Sequence, residues 1–476
     1  MQNYDTKNDF RTGEGTSFHL AGIGGIGMSG LAQMLRASGS EVSGSDRALN
    51  NPENKRIFDS LRRQGIKLFE QDGSFIKSVK PDFIIYSTAI ENDNPDFAAG
   101  AAVTKVHRAS ALASAMLQGE KQSLIAVTGS CGKTTVSAWA AESLFRAGSD
   151  PSFLTGGLVN RFVSSDCAGN YRNGFGGYFV FEADESDKSL TAYSSDYAMI
   201  LNIGTDHYSK EELVDVFNKF LSNVRVGAVV ERDVLEKLDK NITGKLKIKT
   251  FSQNEGGNAD WNYSDYKTVN GKIEALLNGK FRINLPAPGR HTAANAAAIA
   301  ALMDLMGYPV GKAVEKLQEF KGVWRRFDFA GKMPSGAKVF DDYAHNVEKI
   351  VSCLTAAREI TQGGLNILFQ PHGYGPLGFM RDELFKALEE NLTEKDRFIM
   401  LPVFYAGGTS SFKPTSADVI EDFASKGTKK YLCAESRNHA AELLRSSGAG
   451  DTVVVMGARD NSLSDFAREL AAVPHE

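Results

Sequence analysis

The sequence predicts an α/β protein of about three domains, built mainly on parallel sheets. Three observations carry that reading. The chain has 476 residues, against a usual domain of about 150. Short apolar runs alternate with helix-length segments, the pattern of parallel sheets covered by helices. Two glycine-rich loops each stand between an apolar run and a helix-like segment, where such folds bind phosphate.

The elements follow in chain order. Residues 1–16, "MQNYDTKNDFRTGEGT", are polar, lack the apolar core of a signal peptide and read as a flexible tail. "SFHLAGIGGIGMSGLAQMLRASGSEVSGSD" reads as strand, glycine turn, helix, glycine stop and strand, half of a dinucleotide-type fold. "PDFIIYSTAI" adds a strand, and "ALASAMLQGEKQS" passes into a polar linker that puts a boundary near Gly119. Beyond it, "LIAVTGSCGKTT", "YFVFEADESD" and "YAMILNIGTDH" are apolar runs with polar tips, as expected of strands buried on both faces of a parallel sheet. Alternation between Glu231 and Leu285, as in "KLKIKTF" and "KIEALLNGKFRINL", indicates antiparallel hairpins. The alanine-rich helix "HTAANAAAIAALMDLMG" ends at Gly307. Asn295 and Asp304 interrupt it, so it falls short of the roughly 20 apolar residues of a membrane span. After "FKGVWRRFDFAG", the runs "AKVFDDYAHN", "LNILFQPHGYG", "RFIMLPVFYAGG" and "DTVVVMGARDN" mark another largely parallel α/β domain.

Composition narrows the function classes. Hydrophobic residues make up 42% and charged residues 24%, values of an ordinary globular protein. A net charge of −4 offers no electrostatic case for nucleic acid or an anionic membrane as partner. Cys131, Cys167, Cys353 and Cys433 form no C-x-x-C pair, which argues against a zinc ribbon or disulfide framework and fits a reducing cytoplasm. The expectation is a cytoplasmic enzyme acting on small molecules, as a monomer or homodimer.

In "VTGSCGKTT" the backbone amides of Gly129, Ser130, Cys131, Gly132 and Lys133 are placed to converge on phosphate oxygens, ahead of a helix N-terminus. Lys133 is expected against the β and γ phosphates of ATP, with the Thr134 hydroxyl on magnesium and Thr135 beside it. Val127 stands where the full motif has its first glycine, so the match is shortened. Cys131 reads as a small loop residue rather than a nucleophile. In "GIGGIGMSG", Gly22, Gly24 and Gly27 have the dinucleotide spacing, and Asp46 follows nineteen positions after Gly27, where a ribose-binding acid belongs. Physically that loop supplies an amide-lined pocket for a pyrophosphate, which UDP-sugars also carry. An oxidoreductase needs no separate ATP loop; a ligase acting on a nucleotide-linked substrate needs both.

Beyond the two loops, "HLAGIGGIGMSGLAQML", "EVSGSD", "YSTAIENDNPDF", "VTGSCGKTT", "DPSFLTGG", "FEADESDKS", "LNIGTDH", "PGRHTAANAAAIAA", "GVWRRFDFAG", "DDYAHN" and "FQPHGY" occur in one order over nearly the whole chain. In this collinear set the sequence resembles the Mur ligase family. The resemblance implies an N-terminal Rossmann-like, UDP-sugar-binding domain at 17–118 and a central P-loop ATPase-type domain at 119–321, mostly parallel with an antiparallel portion. It also implies a C-terminal Rossmann-like domain at 322–476 contributing to the ATP and amino-acid sites. The implied chemistry is ATP-dependent ligation with Mg2+, or Mn2+ in its place: UDP-N-acetylmuramate is activated as an acyl phosphate and takes up L-alanine, in peptidoglycan precursor synthesis.

Implied UDP-sugar contacts are Gly22, Gly24, Gly25, Gly27, Met28, Ser45, Asp46, Ser87 and Thr88. Glu182 and His207 correspond to metal ligands, Asn295 to an adenine contact, Arg326 to a γ-phosphate contact and Asp342 to a ribose acid. His345, His372 and Arg381 fall at the amino-acid site. The implied catalytic set is Lys133, Glu182, His207, Arg326 and His345; a solvated partner is the alternative reading for Arg325 and Asp341, and a solvent-facing side chain the alternative for Lys349. No lysine is singled out for carbamoylation.

Departures from the family pattern fall at the ATP loop, where the phosphate geometry is kept, and more heavily at the acceptor. Ser130 and Cys131 replace residues of the commoner "GTHGKT", "DDYAHN" replaces "DDYGHHP", and "FQPHGYGPLGFMRDEL" replaces "FQPHRYSRT". Gly373, Gly375 and Pro376 thus stand where basic residues are expected, and Arg381 is the compensating cation. They leave as rivals a Mur-type ligase adding a peptide or a different amino acid and, from other classes, an NAD-dependent oxidoreductase or a non-catalytic nucleotide-binding paralogue.

Overall fold

The computed structural model describes residues 10–51, 54–118, 122–164, 166–185, 189–204, 209–269, 272–405 and 411–471. The chain folds as two compact units. The first takes in residues up to Lys267 with Glu274–Pro286 and Ala293–Val323; the second takes in Thr268–Ile273, Ala287–Thr292 and the chain from Trp324.

The first unit opens with a parallel sheet in the order Lys67–Glu70, Glu41–Asp46, Ser17–Ala21, Phe83–Tyr86, Thr104–His107. Strand order reverses beside Ser17–Ala21, so a crevice opens where that strand and Phe83–Tyr86 end. Helix Ile26–Ala37 buries Met28, Leu31, Ala32 and Leu35, spaced by threes and fours, against this sheet.

A second sheet follows in the order Lys247–Phe251, Val224–Glu231, Ser195–Ile200, Ser123–Thr128, Tyr178–Glu182, Ser152–Leu154, Tyr171–Arg172. Its pairings are parallel except that of the edge strand Tyr171–Arg172 with Ser152–Leu154. The apolar run of its middle strand is buried on both faces, as Leu124, Ile125, Ala126 and Val127 show. Tyr263–Val269, Lys272–Leu277 and Phe281–Leu285 form a small third sheet. The link from Leu277 to Phe281 is far too short for a parallel crossover, so these two strands make the expected hairpin; "KLKIKTF" does not, because its strand Lys247–Phe251 pairs parallel with Val224–Glu231 at the edge of the second sheet, where one solvated face gives the same alternation. Helix Arg290–Leu305 ends before Gly307, whose φ of 80° suits a helix stop.

The second unit carries a six-stranded sheet, Asp328–Lys332, Lys338–Asp342, Thr452–Met456, Leu365–Phe369, Arg397–Met400, Lys430–Cys433. Only the Asp328–Lys332 edge strand runs antiparallel. The four inner strands are the four apolar runs of the sequence; the two edges, short and half polar, are additions that the structure brings. Among the described residues no helix is long and apolar enough to cross a membrane.

Candidate active site

Sheet order decides what surrounds the second glycine loop. Ser123–Thr128 lies in the middle of its sheet, so its tip is flanked by Glu182, which ends one neighbouring strand, and by Leu201 and Asn202, which follow the other. Val127 is fully buried and pairs with Met199 and Glu182, so it belongs to the strand and the loop begins later, at Gly129. Gly129 has a φ of 136°, and a Cβ there would lie 3.0 Å from the Leu201 Cβ and 3.1 Å from the Asn202 nitrogen. Helix Lys133–Arg146 starts from Gly132 with no side-chain cap. Its first amides are thus left for an anion, unlike those of Lys210–Leu221, which Ser209 and Glu212 close in a capping box.

Asn202, which the sequence did not flag, clamps the loop from both sides: Cys131 N–H donates to its Oδ1 at 2.8 Å and its Nδ2 donates to the Cys131 carbonyl at 3.0 Å. Gly204 N–H donates to Ser130 Oγ at 2.7 Å. The Lys133 ammonium donates to the Gly129 carbonyl at 2.9 Å and to Glu185 Oε2 at 2.7 Å. Burial pulls its pKa down, but Glu185, Asp184 and Glu182 outweigh that and hold it above the ordinary lysine value. Burial raises Glu185 in turn, partly offset by Lys133. Glu182 Oε2 accepts the Gly156 N–H at 3.0 Å. Gly156 and Gly157 keep backbone where side chains would meet the Glu182 carboxylate at 2.7 Å and Thr134 Cγ2 at 2.8 Å. Thr134 is buried, Thr135 half-buried, and Asn295 Oδ1 would lie 3.7 Å from a Cβ on Gly132. Glu182, Thr134 and Asn295 thus stand around one loop. His207 lies outside the described residues.

At the first glycine loop, the Ser45 carbonyl accepts the N–H groups of Gly22 at 2.8 Å and Ile23 at 3.0 Å. The Ser45 hydroxyl is buried and donates to Asp96, so Ser45 acts on the loop through its backbone. Asp46 accepts Gly24 N–H and Ala48 N–H, each at 2.8 Å. Gly25 heads helix Ile26–Ala37 without a side-chain cap, leaving a second open helix N-terminus. Met28 is buried beneath it. Ser87 and the exposed Thr88 follow the adjacent strand, and Ile90 from that loop packs on Gly22. Arg108, also missed from sequence, brings its guanidinium to 3.1 Å from where a Cβ on Gly27 would lie.

In the second unit, Arg325 and Phe327 have φ of 58° and 51°, left-handed backbone that non-glycine residues rarely adopt, and they hold Arg326 between them. Arg325 is 1% exposed. It donates to Asp341 Oδ1 at 3.2 Å and to the carbonyls of Gly457 at 2.5 Å and Asp460 at 2.9 Å. This corrects the reading of Arg325 and Asp341 as solvated: a buried carboxylate needs its partner. Arg326 instead lays its guanidinium over the Tyr343 ring, 5.2 Å from the centroid.

Asp342 accepts Phe327 N–H at 2.7 Å and Ala344 N–H at 2.8 Å. Burial pushes its carboxyl up to about 6, against the pull of Arg326. His345 Nδ1 lies 2.9 Å from the Tyr343 carbonyl, which only accepts, so Nδ1 carries the proton and Nε2 keeps its lone pair. Burial lowers its pKa to about 4, leaving the ring neutral at pH 7. The His372 ring meets it nearly perpendicular at 5.1 Å. Lys349 is half-buried rather than fully in solvent, and its charge reaches both imidazoles. Arg381 is ion-paired with Asp422 at 2.6 Å. Gly373, at φ 145°, heads helix Tyr374–Asn391, and Tyr374, Tyr405 and Phe412 form an aromatic trio with centroids 5.2–6.0 Å apart.

Among the described residues no three His, Cys, Asp or Glu side chains group to hold a metal ion alone. Magnesium does not require such a cage, since it takes one or two carboxylates together with substrate phosphates. The Thr134 hydroxyl and Glu182 carboxylate, hard oxygen donors beside an open helix N-terminus, fit that demand.

A P-loop flanked by a carboxylate, beside a separate pyrophosphate-type loop in the same unit, defines a nucleotide-using α/β enzyme. Family models described as Mur ligase family, catalytic domain; Mur ligase middle domain; and Mur ligase, glutamate ligase domain match residues 17–119, 127–303 and 325–459. The chain belongs to the Mur ligase family. It is 31% identical over 477 residues to UDP-N-acetylmuramate--L-alanine ligase of Methylobacterium nodulans, covering 96% of this chain and 97% of that one. The crystal structure of the UDP-N-acetylmuramate-alanine ligase of Thermotoga maritima superposes with a TM-score of 0.77 at 26% identity, covering 96% of this chain and 98% of that one. A murein peptide ligase of Psychrobacter arcticus shares the fold, with a TM-score of 0.66 at 21% identity over 97% and 100% of the two chains.

Proposed function

We propose that this chain is an ATP-dependent ligase that joins L-alanine to UDP-N-acetylmuramate through an acyl phosphate, in cytoplasmic peptidoglycan precursor synthesis. The observation that carries this reading is the P-loop whose helix lacks a side-chain cap and whose tip is shared by Lys133, Thr134 and Glu182. In this reading residues 17–118 bind the UDP-sugar, 119–321 bind ATP, and 322–476 supply further ATP and amino-acid contacts.

The open N-terminus of Ile26–Ala37, with Arg108 beside Gly27, grips the diphosphate of the sugar nucleotide. The amides of Gly129–Lys133 and the Lys133 ammonium take the ATP phosphates, which displace Lys133 from Glu185. Thr134 and Glu182, with His207, would hold Mg2+, which would supply charge neutralisation for the transferring phosphoryl group. Arg326 adds a second cation for that charge. Asn295 meets adenine and Asp342 the ribose. The amino group of the acceptor then replaces phosphate at the activated carbonyl, and His345 Nε2, neutral and unprotonated, accepts a hydrogen bond from that amine. His372 stands beside it.

The test is ADP release on UDP-N-acetylmuramate with L-alanine, other amino acids and the recycled tripeptide in turn, with the product weighed by mass spectrometry. A product heavier by one alanine residue is expected. Turnover with the tripeptide alone would select the peptide-adding rival, and nicotinamide reduction without ATP hydrolysis would overturn the ligase reading.

A further inference from the structure

Asn170 is fully buried, lies outside both ligand loops, and engages both side-chain polar atoms and its backbone carbonyl in a way that ties one loop to the other. Its Nδ2 donates to the Ile26 carbonyl at 2.7 Å and to Ser29 Oγ at 2.9 Å, both in the first turn of the helix that the first glycine loop feeds. Its Oδ1 accepts Gln33 Nε2 at 3.0 Å from the same helix, and Gln33 is buried with it. Its backbone carbonyl accepts the Thr155 N–H at 2.9 Å. The next residue, Gly156, donates its N–H to Glu182 Oε2 at 3.0 Å, and the Thr155 hydroxyl donates to the Gly157 carbonyl at 2.9 Å.

Packing makes the same link. Helix Ile26–Ala37 sits so close to these strands that a Cβ on Gly30 would lie 3.3 Å from Leu154 Cγ and 3.5 Å from Asn170 Nδ2. A shift of the helix start therefore pulls on Asn170 directly, and Asn170 pulls on the segment that fixes the Glu182 carboxylate. A buried amide with its side-chain partners made resists sliding, since each broken bond leaves an unsatisfied group.

We propose that Asn170 is a positioning residue that couples the two ligand sites, so that occupation of the first glycine loop sets the Glu182 carboxylate for the triphosphate. The inference rests on the reading of a UDP-sugar at the first loop and ATP at the second. By linkage the effect is reciprocal, and coupling of this kind is typically about 5- to 150-fold in affinity.

The test is calorimetric titration of the full chain with magnesium and the non-hydrolysable analogue adenylyl imidodiphosphate, with and without saturating UDP-N-acetylmuramate. Wild type should bind the analogue at least about fivefold more tightly when the sugar nucleotide is present. In Asn170→Ala the ratio should fall to near one, while the affinity for each ligand alone changes far less, which a purely structural role would not produce. If that variant does not fold, Gly30→Ala, whose methyl group presses on the Leu154 and Asn170 side chains, must show the same loss. An unchanged ratio in the folded variant, or no coupling in wild type, overturns the proposal. Failure of wild type to bind either ligand alone overturns the site reading, and the coupling with it.

Discussion

Lys133 is held by Glu185 and the Gly129 carbonyl, which fixes its charge at the loop. Lys133→Ala should abolish amino-acid-dependent ADP release; near-normal turnover in the purified variant would remove the assigned ATP loop. Asp342 and His345 make a pH prediction of opposite signs. Asp342, raised from the ordinary 3.8 to about 6, favours the folded second unit below about pH 4 and loses that contribution as pH climbs through 6. His345, lowered from 6.5 to about 4, contributes fully above pH 6.5 and loses it as pH falls toward 4. The two partly cancel in wild type. In denaturant unfolding between pH 4 and 7, Asp342→Asn should lose stability on acidification more steeply than wild type, and His345→Gln should gain it; equal slopes in all three would contradict both assignments. Gly373→Arg, which restores the family's basic residue, should cost on the order of 1–3 kcal/mol, because φ 145° is backbone that side-chain-bearing residues avoid. Thermal unfolding reads it directly. Lys133, Glu182 and Arg326 could be singled out in the sequence because each lies in a short local motif. Asn202, Glu185, Arg108 and Asn170 were not, because their meaning comes from partners far along the chain that only the folded sheet brings near.

Among elements, the P-loop shows where the glycine missing from the full motif falls. Val127 is strand, and the turn needs its freedom two residues later, where Gly129 faces Leu201 and Asn202. Gly129→Ala should therefore weaken binding of the ATP analogue at least about tenfold, by the factor that some 1.4 kcal/mol of strain supplies, while Val127→Gly should weaken the strand without improving the loop. Titration calorimetry separates the two. Strands buried on both faces announced themselves as unbroken apolar runs, "LNILF" and "TVVVM" among them. Asp328–Lys332 and Lys430–Cys433 did not, since an edge strand is half solvated and needs no such run. The open N-termini of Ile26–Ala37 and Lys133–Arg146 were legible as glycine turns, whereas the absence of a side-chain cap on either became visible only in three dimensions.

At the scale of the molecule, both ligand loops belong to the first unit. UDP-N-acetylmuramate at a hundred times its dissociation constant should stabilise that unit by about 2.7 kcal/mol. Hydrogen exchange should show the protection in the sheet containing Ser17–Ala21 and not in the strand Leu365–Phe369; uniform protection would place the ligand elsewhere. The α/β plan of mostly parallel sheets was readable from the alternation of runs and helices, but the assignment of chain segments to units was not, because Thr268–Ile273 and Ala287–Thr292 leave the first unit for the second and return. The path thus crosses from one unit to the other five times. On the ribosome neither unit is complete when its first strands emerge: the earlier one waits for Val323, and the later one already owns pieces made long before Trp324. No single cut in the gene yields two halves that each encode a whole unit.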